Sequence, residues 1–233
     1  MFFPLPVQIT EPQIARVKQP VANWVIIAAN VLAYLLFDTF HWAAYRGASP
    51  AAILGYGFAH AGFWHLGLNM WVLWLFGNPI NRRIGNGYYA LAYLATIAAL
   101  GFFAYLFVPV PVVGASGAIY AVIGISVLLM PRARMTVIYA AVFPLTILLG
   151  LINRPKYGIY WFLRGGEFRV SVVWCLLLVP FLEFAGMCFW WLNTGGWHWG
   201  HFAHVLGFFC GIGVVLLLPR TLTLGRRAAA WGS

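Results

Sequence analysis

Acidic residues are almost absent from this chain. Four Asp+Glu stand against fourteen Lys+Arg in 233 residues, and charged side chains of both signs make up only 8% of the sequence. Soluble domains carry about a quarter charged residues, so a water-facing surface of ordinary composition is excluded. Cysteine is scarce as well. Cys175, Cys188 and Cys210 lie inside apolar stretches, in odd number and without ligand spacing, which excludes a disulfide framework and a cysteine metal site and leaves them as small apolar fillers. A basic start followed by a short apolar run is also missing, because Glu11, Arg16 and Lys18 precede the first long apolar segment. That segment is therefore expected to stay in the mature protein rather than to be removed as a signal.

What is present in abundance is apolar. Hydrophobic residues account for 63% of the chain, and the mean hydropathy is +0.86. This is the composition of an integral membrane protein, and at about 20 apolar residues per crossing the stretches allow about six spans and no soluble domain. The spans are predicted near Ala22–Phe37, His60–Gly77, Tyr88–Val108, Gly114–Met130, Val170–Leu192 and Phe202–Leu218. Residues 1–20 read as a polar lead and residues 220–233 as a basic tail, flanking an all-α membrane domain over 21–219.

The formal net charge of +10 would in a soluble protein suggest nucleic acid, but the basic residues come in pairs between apolar stretches and form no basic face. Nucleic acid is not an expected partner; the lipid bilayer is. With the N-terminus in the cytoplasm, thirteen of the fourteen Lys+Arg fall on the inner side and only Arg46 lies outside, which satisfies the positive-inside rule. The apolar run Met135–Ile152 is long enough to be a seventh span. Crossing alone, it would move Arg154, Lys156, Arg164 and Arg169 outside, so residues 131–169 are expected to form an enlarged inner loop with an interfacial or re-entrant apolar segment, broken at Pro144.

Polar residues within spans are costly and mark packing or function. Here they gather at the outer starts of the even-numbered spans: His60, His65 and Asn69 on the second, Ser116 on the fourth and His204 on the sixth. Singly, each reads as a packing or interfacial group; their agreement in depth is the signal. His65 and Asn69 are four apart and share a helical face. Ser116 lies in the bulk-free run Gly114-Ala115-Ser116-Gly117, open to close approach by another helix. His204, Gly207 and Gly211 share one face of the sixth span and supply the matching surface.

A serine nucleophile with a histidine base follows as the expected chemistry. His204 would take the Ser116 proton and then protonate the leaving amine. Asn69, His65 and the backbone N–H of Ser116 are the candidate donors to the developing oxyanion. No carboxylate neighbours the pair in sequence, so a Ser-His dyad without a third acid is expected; Glu183 is the one acid in a span able to compete for that part.

The same residues carry a resemblance. His60-Ala61-Gly62-Phe63-Trp64-His65-Leu66-Gly67-Leu68-Asn69 resembles the rhomboid H-x4-H-x3-N signature, Gly114-Ala115-Ser116-Gly117 its G-x-S-G motif, and Ala203-His204-Val205-Leu206-Gly207-Phe208-Phe209-Cys210-Gly211 its A-H-x2-G-x3-G. The resemblance runs from about Ala22 to Leu218 and implies a six-transmembrane-helix rhomboid-like bundle. Its implied activity is intramembrane serine proteolysis of transmembrane protein substrates near the outer face, without cofactor or metal. It implies Ser116 as nucleophile, His204 as base, and His65 and Asn69 as oxyanion donors. Tyr120 matches the aromatic that stacks on the catalytic histidine, and His60 the first signature histidine, with a more structural part. The first outer loop, about Asp38–Ala59, is short and lacks the Trp-Arg pair of many members.

Two other classes compete. His198, His201 and His204 are spaced at three and, with His60 and His65, suggest a histidine-based membrane metal site, although this leaves Ser116 unexplained. A catalytically silent binding or dislocation protein on the same fold is the second. Trp190, Trp191, Trp197 and Trp199 read as an interfacial belt. The plain six-span layout favours a bacterial inner membrane; oligomeric state is not legible.

Overall fold

The computed structural model describes residues 2–10, 17–142 and 163–223. The chain is mostly helical. Helix α1 spans Val21–Leu36, and after a single 3-10 turn at Phe40–Trp42 and the one-turn helix α2 (Ala52–Gly55) comes α3 (Phe63–Val72). A π turn at Leu73–Gly77 joins α3 to α4 (Asn78–Ile84), and α5 (Asn86–Phe107), α6 (Ser116–Leu129), α7 (Val172–Thr194), α8 (Trp199–Leu217) and the short α9 (Arg220–Thr223) follow. Three of these, α5, α7 and α8, are long and apolar enough to cross a membrane, and α1 and α6 are shorter apolar helices. Leu35, Leu91, Trp174, Phe181, Leu216 and Leu217 project outward although large and apolar. In a membrane protein that is the lipid-facing surface.

One expectation is corrected. The fold is not all-α: strands β1 (Phe2–Thr10), β2 (Arg134–Val142) and β3 (Leu163–Ser171) form an antiparallel sheet in the order β1-β2-β3. The apolar run from Met135 is thus, in its described part, a central strand rather than an interfacial or re-entrant segment; Pro144 and the rest of that run lie outside the described residues. The sequence contains the reason. Met135-Thr136-Val137-Ile138 is rich in β-branched residues, and a short apolar run has no periodicity that separates strand from helix. Its partner lies more than a hundred residues away in the polar lead, where Pro4 and Pro6 tolerate only an edge position. They occupy that edge, with a register shift between Pro6 and Gln8.

A buried polar knot ties the first helices together. The Asn23 side chain donates to the Leu73 carbonyl at 3.1 Å and to Asn78 Oδ1 at 2.9 Å, and accepts from the Tyr89 hydroxyl at 2.6 Å. Its backbone N–H donates to Asn81 Oδ1 at 2.9 Å. The carbonyl of Leu73 opens the π turn, whose wider winding removes main-chain groups from the ordinary i to i+4 ladder, so the amide supplies the missing partner. Gly77 is required beside it, since a Cβ there would meet Asn23 Oδ1 and the Tyr89 hydroxyl at 2.5 Å.

The segment between α1 and α3 is short but folded. Ala43, Ala44, Ala52, Tyr56 and Ala59 are buried, and the Tyr56 hydroxyl donates to the Ile97 carbonyl of α5 at 3.2 Å. The same segment fixes the entry to α6. Ala44 pairs with Val112 in an antiparallel bridge, and the Gly114 N–H donates to the Tyr56 carbonyl at 2.8 Å.

Candidate active site

Ser116 is the first residue of α6, so its hydroxyl sits at a helix N-terminus among main-chain N–H groups with no partner inside the helix. Two residues earlier, Gly114 has φ of +122°, a conformation that disfavours any side chain, and this turns the chain into the helix. His204 comes from α8. Its Nε2 lies 2.8 Å from Ser116 Oγ, a hydrogen bond between residues 88 positions apart.

Glycine makes this approach. A Cβ at Gly207 would strike the Gly117 carbonyl, one at Gly211 the Ala121 carbonyl, and one at Gly124 the Phe208 carbonyl. Helices α6 and α8 are therefore in backbone contact along their length, and His204 reaches Ser116 from one turn above the Gly207 contact. Tyr120, one turn after Ser116, stacks on the His204 ring with centroids 4.3 Å apart and planes inclined by 4°.

The residues from α3 stand on the other side of Gly114. His65 Nε2 and Asn69 Nδ2 lie 2.9 and 3.8 Å from where a Cβ of Gly114 would be. The Ala61 N–H donates to His65 Nδ1 at 3.4 Å, which in a neutral ring leaves the proton on Nε2, facing the site. Asn69 is buried and its Nδ2 has no hydrogen-bond partner among the described residues. A buried amide donor left free in this way is costly unless a ligand or transition state takes it up. His60 is fully buried and packs edge-on against His65 at 5.1 Å, with Nδ1 3.2 Å from the Phe58 carbonyl and its own carbonyl accepting from Thr39. It braces His65 and does not reach the serine.

A cavity of about 50 Å³ opens on the pair, lined by Ser116, His204, Gly114 and Gly117 with apolar walls from Tyr56, Leu100 and Phe103. It has room for a few waters.

Glu183 is the residue that spacing understates. It lies on α7, far from the motifs in sequence, yet its Oε2 is 3.1 Å from His204 Nδ1 and 2.5 Å from His201 Nδ1, and its Oε1 accepts from the Tyr120 hydroxyl. A histidine base with no acid beside it is therefore not what the structure contains. The available signal was its position as the single acid in the apolar spans. Glu183, His201 and His204 also form the one group among the described residues whose donor atoms converge as metal ligands would, within 4.8 Å of one another. His60 and His65 do not join it. His198 precedes α8, and its ring lies tilted against that of His201 with centroids 4.3 Å apart. Burial first, then His201 and His204, hold it below the usual histidine range, in keeping with a ring whose Nδ1 accepts the His201 N–H at 3.2 Å.

Comparison with known proteins supplies a family for the chain. The Rhomboid domain family model matches residues 42–162, about half of the chain. The chain belongs to the rhomboid family. Rhomboid protein 1, mitochondrial, of Saccharomyces cerevisiae is 35% identical over 94 residues, covering 37% of this chain and 27% of that protein. Presenilin-associated rhomboid-like protein, mitochondrial, of Rattus norvegicus is 30% identical over 136 residues, 52% of this chain and 36% of that protein. Rhomboid protease GluP of Bacillus subtilis is 28% identical over 131 residues, 49% of this chain and 26% of that protein. The match thus spans between a quarter and two fifths of the length of these relatives. The rhomboid match contains His60, His65, Asn69, Ser116 and Tyr120; Glu183 and His204 lie beyond it.

Proposed function

We propose that this rhomboid protein is an intramembrane serine endopeptidase that cleaves transmembrane protein substrates near the outer membrane face, with Ser116 as nucleophile and His204 as base. The observation that carries the reading is the 2.8 Å contact between Ser116 Oγ and His204 Nε2, made by two helices brought together on glycine. The imidazole takes the hydroxyl proton as Oγ bonds to the scissile carbonyl carbon, and returns it to the leaving nitrogen as the C–N bond breaks. His65 Nε2 and Asn69 Nδ2, two donors on one face beside Gly114, together with the Ser116 N–H, are suited to the charge on the carbonyl oxygen. Tyr120 fixes the plane of the imidazole. Gly114, Gly117, Gly207 and Gly211 serve by leaving room, and His60 by holding His65.

In this reading the chain crosses the membrane six times with its N-terminus in the cytoplasm, in α1, the α3–α4 run, α5, α6, α7 and α8. The distribution of basic residues supports it, with Arg82, Arg83, Arg132, Arg134 and Arg169 on the inner side. Helix α6 begins at Ser116 and ends next to β2, so the sheet and the serine lie at opposite ends of that helix. The sheet then faces the cytoplasm and the serine the outer half of the bilayer. The layout supports a bacterial inner membrane. Cysteine-scanning labelling of residue 40 and residue 132 from either side tests the orientation, and cleavage of a model transmembrane substrate by the purified protein tests the activity, which Ser116→Ala should abolish.

A further inference from the structure

We propose, resting on the Ser116–His204 reading, that Glu183 is a positioning acid that holds the His204 imidazole in the tautomer able to accept the serine proton. If Nε2 is to accept from Ser116 Oγ at 2.8 Å, the neutral ring must carry its proton on Nδ1. That nitrogen is buried and makes no hydrogen bond to any described residue. A buried N–H needs an acceptor, and the carboxylate oxygen in reach is Glu183 Oε2, 3.1 Å away and off the axis of a hydrogen bond.

The carboxylate is held beside that nitrogen by two other groups. The Tyr120 hydroxyl donates to Oε1 from α6, and His201 Nδ1 stands 2.5 Å from Oε2 on α8. Tyr120 therefore fixes both parts of the relay, the ring by stacking and the acid by its hydroxyl. The titratable groups facing Glu183 are Tyr120, His201 and His204, with His198 tilted against the ring of His201. Asp38 and Glu167, the other acids among the described residues, lie outside the long helices. A lone carboxylate among apolar helices is costly unless paired, and each partner of Glu183 among the described residues belongs to this site or touches it.

During reaction the Ser116 proton moves to His204 Nε2 as the Oγ–C bond forms. The imidazolium keeps its Nδ1 proton, directed at Glu183, which stays a carboxylate throughout. When the C–N bond breaks, the Nε2 proton passes to the leaving amine. Glu183 neither gains nor loses a proton; it selects the tautomer and opposes the positive charge on the ring.

The test uses the full chain in detergent or vesicles, cleaving a model transmembrane substrate. Glu183→Gln keeps the size and the ability to accept from Tyr120 while removing the charge. It is expected to lower kcat about 10- to 100-fold with KM within about twofold of wild type. In parallel, a downfield proton on His204 Nδ1, assigned by its loss in His204→Gln, is expected in wild-type protein labelled with ¹⁵N-histidine and absent in Glu183→Gln. Loss of cleavage in Ser116→Ala together with full kcat in Glu183→Gln overturns this proposal alone. Cleavage that persists in Ser116→Ala overturns the serine reading and this proposal with it. If Glu183→Gln does not fold, the wild-type spectrum decides, and no downfield Nδ1 proton at His204 means that the acid has no such part.

Discussion

Gly207 of α8 lies so close to the main-chain carbonyl of Gly117 on α6 that a single methyl group at residue 207 would overlap it. This contact sits one turn below His204 and one residue after Ser116, so it sets the distance between the imidazole and the hydroxyl. The same relation recurs one turn further on, between Gly211 and Ala121. A glycine face on one helix thus converts backbone packing into the side-chain geometry that the proposed mechanism uses.

Widening that contact should damage activity more than stability. Gly207→Val forces α8 away from α6 and is expected to cost about 1–3 kcal/mol of stability by overpacking, read as a fall in the thermal unfolding midpoint in detergent. A displacement of about 1 Å at the reacting atoms costs about 10²-fold in rate, so cleavage should drop by that order even where the protein still folds. Gly213, whose Cβ position is open, is the control: Gly213→Ala should leave both unchanged.

Asn69 offers a cleaner test of the proposed oxyanion role, because its Nδ2 is buried and has no partner to lose among the described residues. Asn69→Ala removes that donor and leaves the fold intact. Cleavage should fall by about 10²–10³-fold in kcat with little change in KM, the signature of a contact made in the transition state. A purely structural asparagine would show instead as a lowered midpoint with kcat preserved.

How much of this was legible in the sequence depends on how far apart the partners lie. His65 and Asn69 share one helical face by spacing alone, and the Gly207 and Gly211 face of α8 is equally local, so both could be read from periodicity. The bounds of α1, α5, α6, α7 and α8 come out within a few residues for the same reason, whereas the second span runs on through α4 to Ile84 rather than stopping at Gly77. The sheet could not be read this way. Its central strand is an apolar run whose register is decided by a partner at Phe2–Thr10, and a pairing over that separation leaves no local pattern. Glu183 is the same case in the site. Nothing within its own helix distinguishes a paired from an unpaired acid, and only the convergence of α6, α7 and α8 brings its carboxylate to His204.

The polar knot around Asn23 predicts the reverse of the catalytic pattern. Asn23→Ala deletes one amide and leaves the Leu73 carbonyl, Asn78 and the Tyr89 hydroxyl without the partner they have now. Leaving buried groups unsatisfied costs about 1–3 kcal/mol each, so the unfolding midpoint should fall distinctly. Cleavage measured well below that midpoint should stay near wild type, since the knot lies away from Ser116. Asn23→Asp keeps an acceptor for Tyr89 but turns a buried carboxylate oxygen toward the Leu73 carbonyl and Asn78 Oδ1, and should lower the midpoint at least as far as Asn23→Ala.

The activated serine is the centre of the account, and a fluorophosphonate probe reads it most directly. Wild-type protein should be labelled at Ser116, with no labelling in Ser116→Ala and a loss of about 10²-fold or more in labelling rate in His204→Ala, since the base is worth about 10²–10⁴-fold. Labelling of His204→Ala at the wild-type rate would show that the 2.8 Å contact between the two side chains does not activate the hydroxyl, and would contradict the mechanism.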